Sequence, residues 1–176
     1  MKPLEGKRIV VLVEDQYEDL ELWYPLIRMR EAGAAVLVAG TDEERSYRGK
    51  HGLEITSEIA TRDVVPSSFD AVIIPGGYAP DKMRRHEATL DVVREIYEQG
   101  DVVAMICHAG WVPISAGIVE GRRVTSTGAI KDDLVNAGAE WLDEPVVKDG
   151  TLISSRSPAD LTFFCRAIID ALGNNE

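Results

Sequence analysis

Short, wholly apolar segments alternate with longer stretches of helical pattern along most of this 176-residue chain. The clearest apolar segments are RIVVLV at 8–13, AAVLVAG at 34–40, FDAVIIPGG at 69–77 and DVVAMI at 101–106. Strands that are apolar on both faces are buried on both faces, which is typical of parallel sheets covered by helices. The alternation therefore predicts an α/β fold with a mostly parallel sheet and helices on both sides.

The segments between these strands predict the covering helices and some smaller elements. Apolar residues at helical spacing predict helices over about 19–32 and 88–99, and a further helix near the C-terminus. Glycines interrupt residues 45–59, which predicts a small irregular β excursion there. Further strands are predicted at 122–127 and, as a hairpin turning at Asp-Gly, at 145–155. Because no repeat or linker divides the chain, we expect a single domain over residues 1–176.

Composition excludes several classes of protein. The formal net charge is −11, so the phosphate backbone of a nucleic acid would be repelled. No apolar run approaches the roughly 20 residues of a membrane span, and the start MKPLEGKRIV lacks the apolar core of a signal peptide. Two cysteines, Cys107 and Cys165, are too few for a disulfide framework, and reduced thiols suit the cytoplasm. We therefore expect a cytoplasmic protein that binds neither nucleic acid nor membrane.

An acidic cluster, VLVEDQYEDLEL at 11–22, follows the first strand and raises two alternatives. It could hold a divalent cation, as in phosphoacceptor signalling domains, or one carboxylate could turn inward towards chemistry on another strand. A signalling domain needs an acceptor aspartate where this chain has Ile74 and Pro75. The sequence also lacks dinucleotide-binding and P-loop motifs, and its histidines and cysteines lack the spacing of zinc ligands. We therefore expect no cofactor and no metal.

The segment VVAMICHAGW, at 102–111, predicts a nucleophile elbow. An apolar strand runs into Cys107, and small residues follow as a helix begins, as a strained strand-turn-helix requires. Unpaired N–H groups at the start of a helix favour the thiolate form of a cysteine. Cys165 instead lies in the apolar stripe of the last helix, where a thiol packs as a small hydrophobe. Cys107 is therefore the predicted functional thiol.

A Pro-Gly-Gly turn ends the 69–77 strand and predicts a second part of the site. The carboxyl ends of parallel strands share one edge of a sheet, so this turn is expected near the elbow. Glycines let backbone N–H groups approach a substrate oxygen closely. Gly76 and Gly77 are therefore predicted to form an oxyanion hole.

Seven segments, taken together, resemble the PfpI (ThiJ/PfpI) family of the class I glutamine amidotransferase-like superfamily. In chain order they are EDQYEDLELWYPLIRM, KHG, FDAVIIPGGYAPD, ICHAGW, IKDDLVNAGAEW, VVKDG and SSRSPADL. The resemblance spans about Lys7 to Leu172 and implies a flavodoxin-like three-layer sandwich, with one ThiJ/PfpI-like domain over 1–176. The family contains intracellular cysteine peptidases and related stress proteins. A cysteine-dependent, cytoplasmic stress-response enzyme is therefore implied.

Carried over residue by residue, the resemblance implies a catalytic site. Cys107 becomes the nucleophile and His108 its base. In the family an acidic residue after the Pro-Gly-Gly turn reaches the histidine from an adjacent subunit, and the matching position is Asp81. The carboxylate that the family places against the cysteine matches Glu18. The other acidic residues of this segment are expected in solvent, loops or interfaces: Glu14, Asp15, Asp19 and Glu21. The resemblance thus implies a homodimer or higher oligomer with the site near the interface.

Two functions of different classes remain open at this point. The first is a thiol-dependent hydrolase that acts on peptides, or a glyoxalase- or deglycase-like enzyme that acts on reactive aldehydes such as methylglyoxal. The second is a non-catalytic redox-sensing stress protein in which Cys107 is oxidised reversibly. The basic run KMRRH, at 82–86, predicts a solvated or subunit-contacting face rather than an anion site. His51 lies in the family-like KHG segment without a derived role.

Overall fold

The computed structural model describes residues 2–42 and 45–173 as an α/β sandwich. Its strands are β1 (Arg8–Val13), β2 (Ala35–Gly40), β3 (Ser46–Arg48), β4 (Glu54–Thr56), β5 (Ile59–Ala60), β6 (Ala71–Ile74), β7 (Val102–Ile106), β8 (Arg123–Val124), β9 (Glu140–Trp141), β10 (Val146–Asp149) and β11 (Leu152–Ser155). Its α-helices are α1 (Asp19–Glu31), α2 (Ala79–Met83), α3 (Glu87–Glu98), α4 (Trp111–Ala116), α5 (Lys131–Asn136) and α6 (Leu161–Gly173).

Seven strands form the central sheet in the order β10-β11-β7-β6-β1-β2-β5. All neighbours are parallel except β10 and β11, which form the predicted antiparallel hairpin. The chain moves through α1 to β2 on one side of β1, and through α3 from β6 to β7 on the other. Right-handed crossovers therefore place α1 and α3 on opposite faces of the sheet. The predicted α/β sandwich with a mostly parallel sheet is confirmed.

The central strands are buried and bring their carboxyl ends to one edge. Strands β6 and β7 are buried at every position, and β1 at every position except Arg8. The strand order reverses between β1 and β6, and such a switch point opens a crevice at the carboxyl ends. In the parallel register Ile74 pairs with Met105, so Gly76 and Cys107, each two residues further on, follow neighbouring strands. The sheet thus positions the two predicted site segments together.

The predicted excursion at 45–59 contains a β3–β4 hairpin whose tip is held over the start of α1. The buried Asp19 carboxylate accepts hydrogen bonds from the N–H groups of His51 at 2.9 Å and Leu53 at 2.8 Å. An added Cβ on Gly49 would clash with that same carboxylate, so the close approach requires glycine there. Asp19 is therefore a loop-holding group that fixes the hairpin beside the acidic segment.

Two other features depart from a simple layered pattern. The predicted strand at 122–127 shortens to β8, which leaves the main sheet and pairs with β9 in a separate two-stranded sheet. Helix α1 buries Leu22 and Leu26 but exposes Leu20 and Ile27 by 55% and 59%. No helix within residues 2–42 and 45–173 is long and apolar enough to cross a membrane.

Candidate active site

Cys107 lies on a strained turn directly after β7. Its φ of 62° is in the left-handed region, which non-glycine residues rarely occupy. A short 3₁₀ turn over Cys107–Gly110 follows and leads into α4. Ala109 is fully buried, and a Cβ on Gly110 would lie 3.0 Å from Ile130 Cδ1, which explains the small residues after the cysteine. The nucleophile elbow predicted from the sequence is present.

His108 is placed to exchange a proton with the thiol. Its Nδ1 lies 3.3 Å from Cys107 Sγ, and its ring meets Trp111 edge-on at 5.3 Å between centroids. Burial and the positive charge of Lys50 lower the pKa of His108. The imidazole is therefore neutral near neutral pH, which leaves it free to accept the thiol proton.

The carboxyl group beside the sulfur belongs to Glu21, not to Glu18. Glu21 is completely buried in the first turn of α1, and its Oε2 accepts a hydrogen bond from the N–H of Gly76 at 2.8 Å. A Cβ on Gly76 would clash with that oxygen and would lie 2.9 Å from Cys107 Cβ, so glycine leaves the space that both groups share. The prediction that Glu21 is a solvent, loop or interface group is wrong.

Glu18 occupies the N-cap position of α1. Its Oε2 accepts a hydrogen bond from the Glu21 N–H at 2.9 Å, and its Oε1 lies 3.6 Å from His51 Nε2. Its carboxylate therefore turns back along the helix towards the β3–β4 hairpin instead of towards the sulfur. The structure corrects the prediction that Glu18 faces Cys107, and it makes Glu18 a residue that positions Glu21.

Burial keeps both Glu21 and Cys107 protonated near neutral pH, which corrects the prediction that the elbow alone favours the thiolate. Burial, followed by the negative charge of Glu18, raises the pKa of Glu21 to about 8. Burial and then the charge of Glu21 raise the pKa of the Cys107 thiol to about 12, while the backbone N–H groups of His108 and Gly77 act in the opposite direction. Once Glu21 holds its proton, its repulsion of a thiolate disappears and the two N–H groups still stabilise the sulfur anion.

Of the two glycines predicted for an oxyanion hole, only Gly77 has a backbone N–H group that lowers the pKa of the Cys107 thiol. Gly76 donates to Glu21, so its N–H is not available to a substrate oxygen. Gly77 has a φ of 80°, and a Cβ there would meet the backbone of the residues before α1, so its position requires glycine. The N–H groups that act on Cys107 are those of Gly77 and His108, and Gly76 is corrected to a partner of Glu21.

Asp81 is not brought to His108 within one chain. It lies in α2, half exposed, and pairs with Arg85 on the next turn. Among the described residues no carboxylate is hydrogen-bonded to His108, whose close neighbours are Cys107 and Trp111. A role for Asp81 across a subunit contact stays a prediction.

Two of the remaining acidic residues hold the loop after β2. The buried Glu14 carboxylate accepts from the Thr41 hydroxyl at 2.5 Å and lies 3.6 Å from Arg45, which also pairs with Asp15. In the described part of the chain, no group of three or more His, Cys, Asp or Glu side chains is arranged to hold a metal ion.

An elbow cysteine with an adjacent imidazole and a buried carboxyl group makes this α/β sandwich a protein with a candidate thiol site. The profile of the DJ-1/PfpI family matches residues 7–171, and the chain belongs to this family. A deglycase of Pyrococcus abyssi is 42% identical over 165 residues, which cover 94% of this chain and 99% of the relative. The deglycase PfpI of Pyrococcus furiosus is 40% identical, with the same coverage of 94% and 99%.

Solved structures give the same result for the fold. The crystal structure of a two-domain protein of Anabaena variabilis, with DJ-1/ThiJ/PfpI-like and ferritin-like domains, matches with a TM-score of 0.94 and 43% identity. The match covers 96% of this chain and 48% of that protein, so this chain spans about half of it. A putative cysteine protease of Bacillus subtilis is 36% identical, with coverage of 95% of this chain and 99% of the relative. The predicted family and flavodoxin-like fold are confirmed, and these relatives support a deglycase- or peptidase-like enzyme.

Proposed function

We propose that this protein is a deglycase-type enzyme that removes adducts of reactive aldehydes, such as methylglyoxal, from amines and thiols. The observation that carries the proposal is the His108 Nδ1 at 3.3 Å from the thiol of an elbow cysteine, beside a buried carboxyl group. The two relatives at 42% and 40% identity, both named deglycases, favour this substrate class over peptides. Cleavage of peptides is the second candidate within the same thiol chemistry.

Each group in the site has a part in this reaction. The amine leaves the carbinolamine carbon with the proton of the neighbouring O–H group, which turns that carbon into an aldehyde. His108 accepts the thiol proton, and the sulfur adds to the aldehyde carbon. The electron pair of the carbonyl double bond becomes an oxyanion beside the N–H groups of Gly77 and His108. Protonated Glu21 supplies a proton donor in a water-poor position next to the new bond.

The overall reaction balances without an external oxidant or reductant. An amine adduct of methylglyoxal, R–NH–CH(OH)–CO–CH₃, reacts with one water to give the free amine and lactate. One carbon of the adduct is oxidised to the acid while its neighbour is reduced to the alcohol by an internal hydrogen shift. This shift turns the sulfur adduct into a thioester of lactate, and hydrolysis of its carbon–sulfur bond returns Cys107 as the thiol.

In this proposal the working site is completed by a second copy of the chain. His108 has no carboxylate partner among the described residues of its own chain, and half-exposed Asp81 is the candidate donor from the neighbour. The exposed Leu20 and Ile27 lie seven positions apart on α1 and give an apolar stripe that a second copy could cover. A cytoplasmic location, which two free cysteines suit, belongs to the same proposal.

The proposal is tested with purified protein and methylglyoxal adducts of an N-protected lysine. We expect release of free amine and lactate by the wild type, loss of both in Cys107→Ser, and retention in the matched thiol control Cys165→Ala. Turnover of peptides but not of adducts would refute the deglycase proposal and support a peptidase. Oxidation of Cys107 by peroxide without turnover of either substrate would refute an enzyme and favour the redox sensor.

A further inference from the structure

A groove next to the thiol site is lined by an unusual number of cations for so acidic a chain. Its volume is about 420 Å³, and its lining residues are Asp15, Gln16, Arg48, Gly49, Lys50 and Lys82. The chain as a whole has a formal net charge of −11, so a groove lined by three basic side chains is opposite in sign to the protein as a whole. Lys82 belongs to the basic run 82–86 that was predicted to be a solvated or subunit-contacting face.

Within the described part of the chain, the two lysines of this groove make no ion pair and its arginine makes only a distant one. Neither Lys50 nor Lys82 has a carboxylate within ion-pair distance in residues 2–42 and 45–173. Arg48 has a carboxylate only at 4.0 Å, on Glu54, with both side chains largely exposed. Asp15, the acidic residue of the lining, is already bound to Arg45. The groove therefore presents a net positive charge.

The backbone connects this groove directly to the catalytic sulfur. The Gln16 carbonyl oxygen accepts from the N–H of Tyr78 at 2.9 Å, and Tyr17 forms a β-bridge with Gly77. The N–H of Lys50 donates to the Tyr17 carbonyl oxygen at 2.9 Å. The groove wall thus lies one residue from Gly77, whose N–H acts on Cys107.

Lys50 joins the groove to the site in charge as well as in position. Its ammonium group lies 5.9 Å from the centroid of the Tyr78 ring, a cation–π contact that holds it over the site segment. Its charge lowers the pKa of both His108 and Glu21. An anion bound in the groove would therefore lie within electrostatic range of the reacting groups.

We propose that the Arg48–Lys50–Lys82 groove binds an anionic group of the substrate, a carboxylate or a phosphate, and so makes acidic adducts the preferred substrates of Cys107. The inference rests on the proposed function, because it names the substrate class of that same site. The unpaired ammonium groups act as point charges, which accept either anion without demanding one geometry. The bound anion holds the reacting carbon of the adduct next to the sulfur.

The groove is tested by a reaction that does not require turnover. Cys107 is alkylated by iodoacetate, which is anionic, and by iodoacetamide, which is neutral and nearly the same shape. The ratio of the two rates cancels changes in thiol pKa, since both reagents attack the same thiolate. We expect Lys50→Gln/Lys82→Gln to lower this ratio about five- to ten-fold at low salt, in line with the modest worth of exposed charge pairs. Lys148→Gln, on the edge strand β10, removes an equal charge as the control.

Competing anions show whether the groove prefers a phosphate or a carboxylate. Inorganic phosphate or acetate is added during alkylation by iodoacetamide, and the more protective of the two identifies the preferred group. Protection and the iodoacetate preference should both weaken at high salt. An equal ratio of iodoacetate to iodoacetamide rates in wild type, the double variant and Lys148→Gln would refute the proposal that the groove binds anions.

Turnover then separates the two proposals. Methylglyoxal adducts of N-acetylcysteine and of its neutral amide share the reacting centre and differ in one carboxylate; adducts of phosphoethanolamine and ethanolamine differ in one phosphate. We expect faster turnover of the acidic member of at least one pair, reduced in the double variant. If no adduct is turned over but the double variant lowers the alkylation ratio as expected, the deglycase proposal is refuted and the proposal of an anion-binding groove is supported. If adducts are turned over without preference for the acidic member of either pair, the anion-binding role of the groove is refuted and the deglycase proposal is retained.

Discussion

Replacing Glu21 by glutamine should make the chain more stable at high pH and hardly change it at low pH. The side chain is fully buried, its pKa is raised from an ordinary value near 4.5 to about 8 by burial and by Glu18, and its Oε2 accepts from Gly76. A folded chain with such a carboxyl group keeps its proton after the unfolded chain has lost it. Stability is therefore full below pH 4.5 and is lost as the pH rises towards 8. Glu21→Gln keeps the shape and the acceptor for Gly76 but cannot ionise.

The size of the effect follows from the two pKa values. Each tenfold difference in proton affinity is worth about 1.4 kcal/mol, so the wild type loses about 1 kcal/mol by pH 5, about 3 by pH 7 and nearly 5 by pH 9 relative to Glu21→Gln. Between pH 5 and pH 9 the difference in the free energy of unfolding should therefore grow by about 4 kcal/mol in favour of the variant. That is a large part of the stability of an ordinary domain.

Urea unfolding at pH 5, 7 and 9 measures this difference, because all other titrating groups are common to both proteins. Glu31→Gln serves as the control, since it makes the same chemical change at an exposed position of the same helix. We expect the control to differ from wild type by a constant amount at the three pH values. Parallel curves for wild type and Glu21→Gln would refute the account of a buried, protonated carboxyl group beside the sulfur.

Three further predictions concern the thiol and its surroundings. Limited labelling with iodoacetamide and peptide mapping should modify Cys107 well before Cys165. Burial raises the pKa of both thiols to about 12, so the difference comes from access and from the neighbouring base: Cys107 is partly exposed and lies 3.3 Å from His108 Nδ1, whereas Cys165 is 1% exposed. Equal labelling would contradict the assignment. Gly76→Ala should abolish turnover because the new Cβ would lie 2.9 Å from Cys107 Cβ. The control Gly128→Ala should remain active because the space around Gly128 is open, and equal activity of the two variants would contradict a crowded site. Mixing Cys107→Ser with Asp81→Ala protein should restore part of the lost turnover if the acid is donated between subunits, and a proven mixed oligomer without recovery would count against that.

The main strands and the elbow could be predicted because their signals are local. An apolar run bounded by turn residues specifies a buried strand, and small residues after Cys107 specify the strained turn. Strands β8 and β9 are different, since each has two residues and exists through pairing with a distant segment. Nothing in 122–127 itself indicates that it leaves the main sheet.

The incorrect prediction that Glu18, rather than Glu21, lies beside Cys107 has a physical reason. Glu18 and Glu21 are three positions apart and lie along the same side of a helix, so composition and spacing do not distinguish them. The distinction is the start of α1: Glu18 has extended backbone with ψ of 120° and caps the helix, while Glu21 lies in its first turn and points into the interior. The predicted helix start at about Asp19 already placed Glu18 at the N-cap, and an acceptor three residues before a glutamate is the capping pattern that could have separated the two.

The left-handed backbone of Cys107, with φ of 62°, sets folding against chemistry at a single residue. Such a conformation costs about 1–3 kcal/mol for a residue with a side chain, whereas glycine adopts it freely. Cys107→Gly would therefore relax the turn while it removes the nucleophile. The substitution that best relaxes this turn is thus one that removes the sulfur, so residue 107 cannot be optimised for stability and for thiol chemistry at the same time.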